Sequence, residues 1–196
     1  MLRYFLILSF PFFIFSCNNS KEETSEQPVS KHSQAFNTSV QSALDSYDRL
    51  SEAFVSWDST TALAYSIELR AKLDNIPLHE FSSQVKEKAK SPLDLAKRDL
   101  QVMSLNNTLT EKRRGLNSLT INLFEFLEAV QYDEKKIYLQ ECPMAFNDKE
   151  SGFWLTDKGK DSIRNPYLGL YHPKYGKAML SCGENKSAID YTSKPN

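Results

Sequence analysis

Two short segments near the C-terminal end of this chain carry sulfur on both flanks: Cys142-Pro143-Met144, and Met179-Leu180-Ser181-Cys182-Gly183. Thiolate and thioether are soft donors and suit a soft ion such as Cu(I). Two thiolates would bind tightly, and added thioethers would keep the site exchangeable. Cys142, Met144, Met179 and Cys182 are therefore the candidate ligands, with His172 as a further donor because imidazole suits copper and zinc. Zinc is the poorer match, since a structural zinc site needs four Cys or His donors. The same cysteines could instead pair with each other. A Cys142–Cys182 disulfide would close a loop of 41 residues. Chain entropy values such a loop at about 4 kcal/mol, and Met144 and Met179 would then be ordinary core fillers. The residues alone leave metal site and disulfide both open.

Other chemistry is thinly represented. A Cys142 nucleophile with His172 as base would need an orienting third group and an oxyanion hole, and the sequence advertises neither. Glycine loops for phosphate and the metalloprotease helix motif are missing too, so the chain reads as no enzyme. With 24 basic and 25 acidic residues it has no electrostatic footprint for nucleic acid. Lys112-Arg113-Arg114 reads as a solvated helix face, and Arg164 as a structural hydrogen-bonding partner. His79 falls in a turn and His32 in a polar tether.

The elements that must position the sulfurs follow from patterning. Met1-Leu2-Arg3 precedes an apolar run from Tyr4 to Phe15, too short to span a bilayer as a helix. A positive start, a short apolar core and a small residue before Cys17 describe a secretory signal over residues 1–16. Ile14-Phe15-Ser16-Cys17 resembles a bacterial lipobox, which would make Cys17 the lipidated first residue of a 180-residue mature chain with net charge near −2. Export and a lipid anchor imply the cell envelope: an outer-membrane lipoprotein, periplasmic or surface-exposed, in a disulfide-permissive compartment. Lys21-Glu22-Glu23 resembles the export signal of Bacteroidota surface lipoproteins. Residues 17–35 are polar and read as lipidated Cys and flexible tether.

Residues 36–131 carry helical periodicity. Val40, Leu44, Tyr47, Leu50, Phe54 and Trp57 form one apolar stripe, and Asp58-Ser59-Thr60 starts a second helix that Pro77 closes. Phe81, Val85 and Ala89 mark a short piece interrupted at Ser91-Pro92. Leu93 to Met103 and Leu116 to Val130 complete the pattern, with a turn at Asn106-Asn107. The expectation is a mainly α chain, an up-and-down bundle of four or five helices. Residues 132–186 gather five of the six glycines and many aromatics, and predict a small loop-rich appendage with short strands at Ile137-Tyr138-Leu139 and Gly152-Phe153-Trp154-Leu155. In this reading both sulfur segments are loops. Residues 187–196 read as a polar tail.

The appendage carries a resemblance. Tyr138-Leu139-Gln140-Glu141-Cys142-Pro143-Met144-Ala145, then Trp154-Leu155, Ile163-Arg164-Asn165-Pro166-Tyr167, and Met179-Leu180-Ser181-Cys182-Gly183 occur in order. The segment resembles domain-of-unknown-function family 3347, a Bacteroidota exported domain also fused to membrane-fusion subunits of heavy-metal efflux systems. The resemblance implies a copper or heavy-metal role and efflux components as partners. The chain departs from that family by an insertion at Leu170 to Gly176, which contains His172.

Overall fold

The computed structural model describes residues 29–159 and 162–192; the expected signal segment, Cys17 and Lys21-Glu22-Glu23 lie outside the described residues. Four α-helices come first: α1 (Gln34–Val55), α2 (Ser59–Asp74), α3 (Ser83–Leu105) and α4 (Leu109–Val130). Three strands follow, β1 (Ile137–Phe146), β2 (Glu150–Thr156) and β3 (Glu184–Ile189), in one antiparallel sheet of order β2-β1-β3. The chain is mainly α with a strand-bearing C-terminal part. Among the described residues no helix is long and apolar enough to cross a membrane.

Local chemistry starts each helix. Ser33, Asp58, Ser82 and Thr108 accept hydrogen bonds from backbone amides of the first turn, and Thr108 with Glu111 closes a reciprocal capping box. Such caps contribute about 1 kcal/mol each. Successive helices pack on one another, and β2 lies against α4 and α1. The apolar stripe of α1 is buried as its spacing requires, from Val40 through Phe54.

Four expectations need correction. Pro92 does not break a helix: α3 runs through it, and Ala89, Leu93, Ala96, Leu100 and Met103 share one buried stripe. The lost amide would have bonded the carbonyl of Lys88, which sits on an exposed turn where water can serve instead. Cys142-Pro143-Met144 is no loop but lies within β1, with a register shift against β2 between Cys142 and Phe146. The polar stretch from Glu184 is a strand: β3 is an edge strand exposed at five of its six positions, so it shows no apolar alternation to read. Ser187 to Ile189 therefore belong to the sheet, not to a tail.

The fourth correction concerns the tether, whose last residues are docked. Ser30 Oγ and the Lys31 amide donate to the Asp133 carboxylate (2.5 and 2.8 Å), and Asn37 Nδ2 donates to Ser30 Oγ. The His32 ring packs on Phe36 and Phe81, with centroids 5.0 and 5.4 Å away, and its Nε2 lies 3.1 Å from the Gln131 carbonyl oxygen.

One buried phenol joins helices to sheet. Tyr47 on α1 donates to Thr120 Oγ1 on α4 at 2.6 Å, Thr120 donates onward to the Leu116 carbonyl, and the Leu155 amide of β2 donates to Tyr47 Oη at 3.1 Å. Burial holds this phenol well above its usual pKa range, so it stays protonated and donating. Tyr47→Phe keeps the ring and orphans a buried amide, so it is expected to cost about 1–3 kcal/mol. A lower midpoint in urea at unchanged slope would record that loss.

Candidate functional site

The candidate site is built where β1 meets the segment entering β3. Cys142 is fully buried on the central strand, opposite Gly152 of β2. Cys182 is half-buried, two residues before β3. Gly183 between them has φ +152°, and a Cβ there would stand 2.5 Å from the Trp154 ring and 3.1 Å from the Glu141 carbonyl oxygen. A side chain has no room, so glycine lets the chain run close over β1. Cys182 then lands on Cys142: the two free thiols stand in close contact, Sγ to Sγ 2.8 Å.

Asn165 holds that approach in place. Its side chain is fully buried; Nδ2 donates to the Cys182 carbonyl at 2.8 Å, while Oδ1 accepts from the Tyr167 and Leu168 amides at 2.8 and 3.1 Å. Its backbone amide donates to the Leu180 carbonyl at 2.8 Å. One side chain thus folds the Asn-Pro turn and pins the cysteine segment to it. Between Leu180 and the turn lies a 3-10 helix, Lys177–Met179, and the Cys182 amide donates back to the Met179 carbonyl at 3.0 Å. Met144 lies two residues beyond Cys142 on β1, half-buried against the core.

The turn is in turn seated on the helices. Arg113 of α4 is only 4 % exposed, donating from Nε to the Pro166 carbonyl and from Nη2 to the Phe54 carbonyl, both at 2.9 Å. Its guanidinium lies 4.0 Å from the centroid of Trp57, whose indole N–H donates to the Leu168 carbonyl. Burial pushes Arg113 down to about 10, which leaves it charged at neutral pH. Lys112 is buried too, donating to the Met103 carbonyl, and of the basic run Arg114 alone is solvated, paired with Glu150. The sequence reading of Lys112-Arg113-Arg114 as a solvated face fails for two of its three members. Arg164, by contrast, is a structural partner, in a two-pronged pair with Glu52 of α1.

The donor set can be tested against a metal. Two sulfurs sharing one ion at about 2.3 Å each would stand roughly 3.8 Å apart in tetrahedral geometry and roughly 4.6 Å in linear geometry. The thiols, at 2.8 Å, would have to open by about 1 Å or more to admit one. As they stand, the two sulfurs are too close to share an ion. His172 does not join them: Nδ1 already accepts from the Lys174 and Tyr175 amides, and the ring packs on Trp57 and Tyr175. With that lone pair engaged, the proton of the neutral ring sits on Nε2. Among the described residues no group of three or more His, Cys, Asp or Glu is placed to hold a metal, and zinc gains nothing from the fold.

Cys182 resists ionisation. Burial, then the hydrogen bond and charge of Cys142, push the Cys182 thiol up to about 12. Little thiolate is then present at neutral pH, so unassisted attack by this sulfur is slow. Sequence reasoning named Cys142 and Cys182 and missed the residues that bring them together, Asn165 and Arg113. An Asn-Pro pair inside a glycine-bounded stretch signals a turn, but nothing local marks Arg113 as buried.

Comparisons with family models, with curated proteins and with solved structures gave no match for this chain.

Asn165→Ala should orphan two buried amides and free the Cys182 carbonyl, at about 2–4 kcal/mol. Chemical denaturation reads the loss. Alkylation of Cys182 in the native reduced protein should also quicken severalfold; an unchanged rate would show that Asn165 does not restrain the cysteine.

Proposed function

We propose that this chain is an exported, non-catalytic lipoprotein that binds a soft heavy metal, Cu(I) first, through the thiolates of Cys142 and Cys182, with Met179 and Met144 as secondary donors. In this reading an up-and-down helical bundle, anchored in the cell envelope through Cys17, carries the sulfur site. The metal is sequestered there or passed to an efflux system. The observation that carries the reading is the approach of two soft donors, 40 residues apart in sequence, to 2.8 Å, with one of the two residues only half-buried. The order of the appendage motifs, which resembles that of an efflux-associated domain, supports it. A second reading, a disulfide-stapled envelope module with no metal role, draws on the same separation, which is short for a metal bridge.

Native mass spectrometry before and after anaerobic Cu(I) addition with reductant separates the two. One copper per reduced chain is expected, lost in Cys142→Ser and in Cys182→Ser, and weakened in Met179→Leu. Wild-type affinity in both cysteine variants would sink the metal reading.

The thiol pKa fixes the pH dependence. A metal must displace the Cys182 proton, and that thiol titrates near 12. Apparent affinity should therefore rise with pH, about tenfold per unit for each proton released, throughout the neutral range. Competition with a Cu(I) chelator at pH 6, 7 and 8 measures the slope. A flat profile would mean that no thiol proton is lost.

A further inference from the structure

The two thiols differ in one respect that decides how they can react. Cys142 has no exposed surface and sits on the central strand, flanked by β2 and β3, whereas Cys182 lies on an irregular turn and is half-buried. Of the two residues, only Cys182 has exposed surface on the side a macromolecular partner would approach. The separation of 2.8 Å exceeds a disulfide bond, about 2.05 Å, by less than the opening a bridging metal requires. From this starting point the bond is the shorter excursion.

We infer that Cys182 is a thiol–disulfide exchange site for an exported dithiol oxidoreductase, with Cys142 as the buried resolving cysteine, so that the pair cycles between an open dithiol and a closed disulfide. The steps balance. Cys182 releases its proton to solvent, its thiolate attacks one sulfur of the partner's disulfide, that bond breaks, and the partner's second sulfur leaves as a thiolate that takes up a proton from solvent. Cys142 then loses its proton and attacks Cys182 Sγ from its place beside it. The mixed disulfide breaks, its partner sulfur leaves as a thiolate that takes up the second proton, and the partner departs as a dithiol carrying two electrons and two protons. In reverse, the partner's thiolate attacks Cys182 and expels Cys142 into a site with no solvent. That leaving group is poorly stabilised, which makes the closed form slow to reduce. The consequence for metal rests on the reading above, since oxidation removes both thiolates and closes the site.

The test uses the full chain purified from an exporting host and equilibrated in glutathione redox buffers, with thiols counted by mass after acid quench. Wild type should pass through one two-electron transition to a species lighter by two hydrogens. Cys142→Ser, or Cys142→Ala if the serine variant misfolds, should accumulate a glutathione adduct on Cys182. Cys182→Ser should leave Cys142 unmodified while the fold persists by circular dichroism. In the native reduced wild type, a bulky alkylating reagent should modify Cys182 at least about tenfold faster than Cys142. An adduct on Cys142 in Cys182→Ser, or no adduct in the Cys142 variants, overturns the assignment. Cu(I) uptake is then measured on both redox forms. Uptake by the reduced form alone supports exchange and metal site together. No uptake by either form, with the two-electron transition intact, removes the metal reading and leaves the exchange site standing. Uptake with no transition at any potential removes the exchange site.

Discussion

The buried guanidinium of Arg113 is the constraint on which the C-terminal half depends. A cation at that depth without a carboxylate must be satisfied by dipoles and π density, or it would cost several kcal/mol. It finds the carbonyls of Phe54 and Pro166 and the face of Trp57. Those three partners belong to the end of α1 and to the Asn-Pro turn, so satisfying one charge fixes the turn against two helices. Trp57 itself has φ +57°, an uncommon backbone for a bulky residue. Its indole bond to Leu168 and the guanidinium above it hold that conformation. At Gly169, φ +55°, a Cβ would meet the Val55 carbonyl oxygen at 2.5 Å, and the Leu170 amide donates to that same carbonyl. Arg113 seats the turn, Asn165 shapes it, and the turn delivers Cys182.

This hierarchy explains why so polar a turn belongs to the core. Its backbone groups are satisfied by side chains and by the frayed carbonyls at the end of α1, which a helix terminus leaves without partners. The cysteine pair sits at the far end of the chain of bonds. Its chemistry is therefore coupled to the fold: movement of Cys182 pulls on Asn165, and Asn165 is bonded to the residues that Arg113 secures.

Much of the helical half was legible because apolar residues at three- and four-residue spacing have one physical outcome. The stripe from Val40 to Phe54 and the cap at Asp58 carry their meaning locally. What sequence patterning missed is what burial decides. Pro92 suits a helix start, and only the continuous stripe of Ala89, Leu93 and Ala96 in the packed molecule keeps the helix running through it. Lys112 and Arg113 carry charge, the usual mark of surface, and their burial follows from carbonyls contributed by distant segments. β3 is polar because it borders the sheet. At the site, the approach of the two cysteines was one of the sequence's open alternatives, but the strand that carries Cys142 was not legible. The placement of His172 was not legible either: its lone pair is claimed by amides of its own loop.

The two margins of the sheet are finished differently. Along the outer side of β2, the Phe153 amide donates to Asn117 Oδ1 and the Leu155 amide to Tyr47, and the Phe153 carbonyl accepts from the Tyr167 hydroxyl. Helix and turn side chains have taken the positions that another strand would occupy. β3 is left as the open margin, and it is short, with Lys186 in an ion pair with Glu141 and Glu184 and Asn185 beside it. Charged side chains on a brief edge discourage a second sheet from adding on. For a protein crowded among copies of itself, such margins resist strand-to-strand aggregation, even though a three-stranded sheet is otherwise well suited to template it.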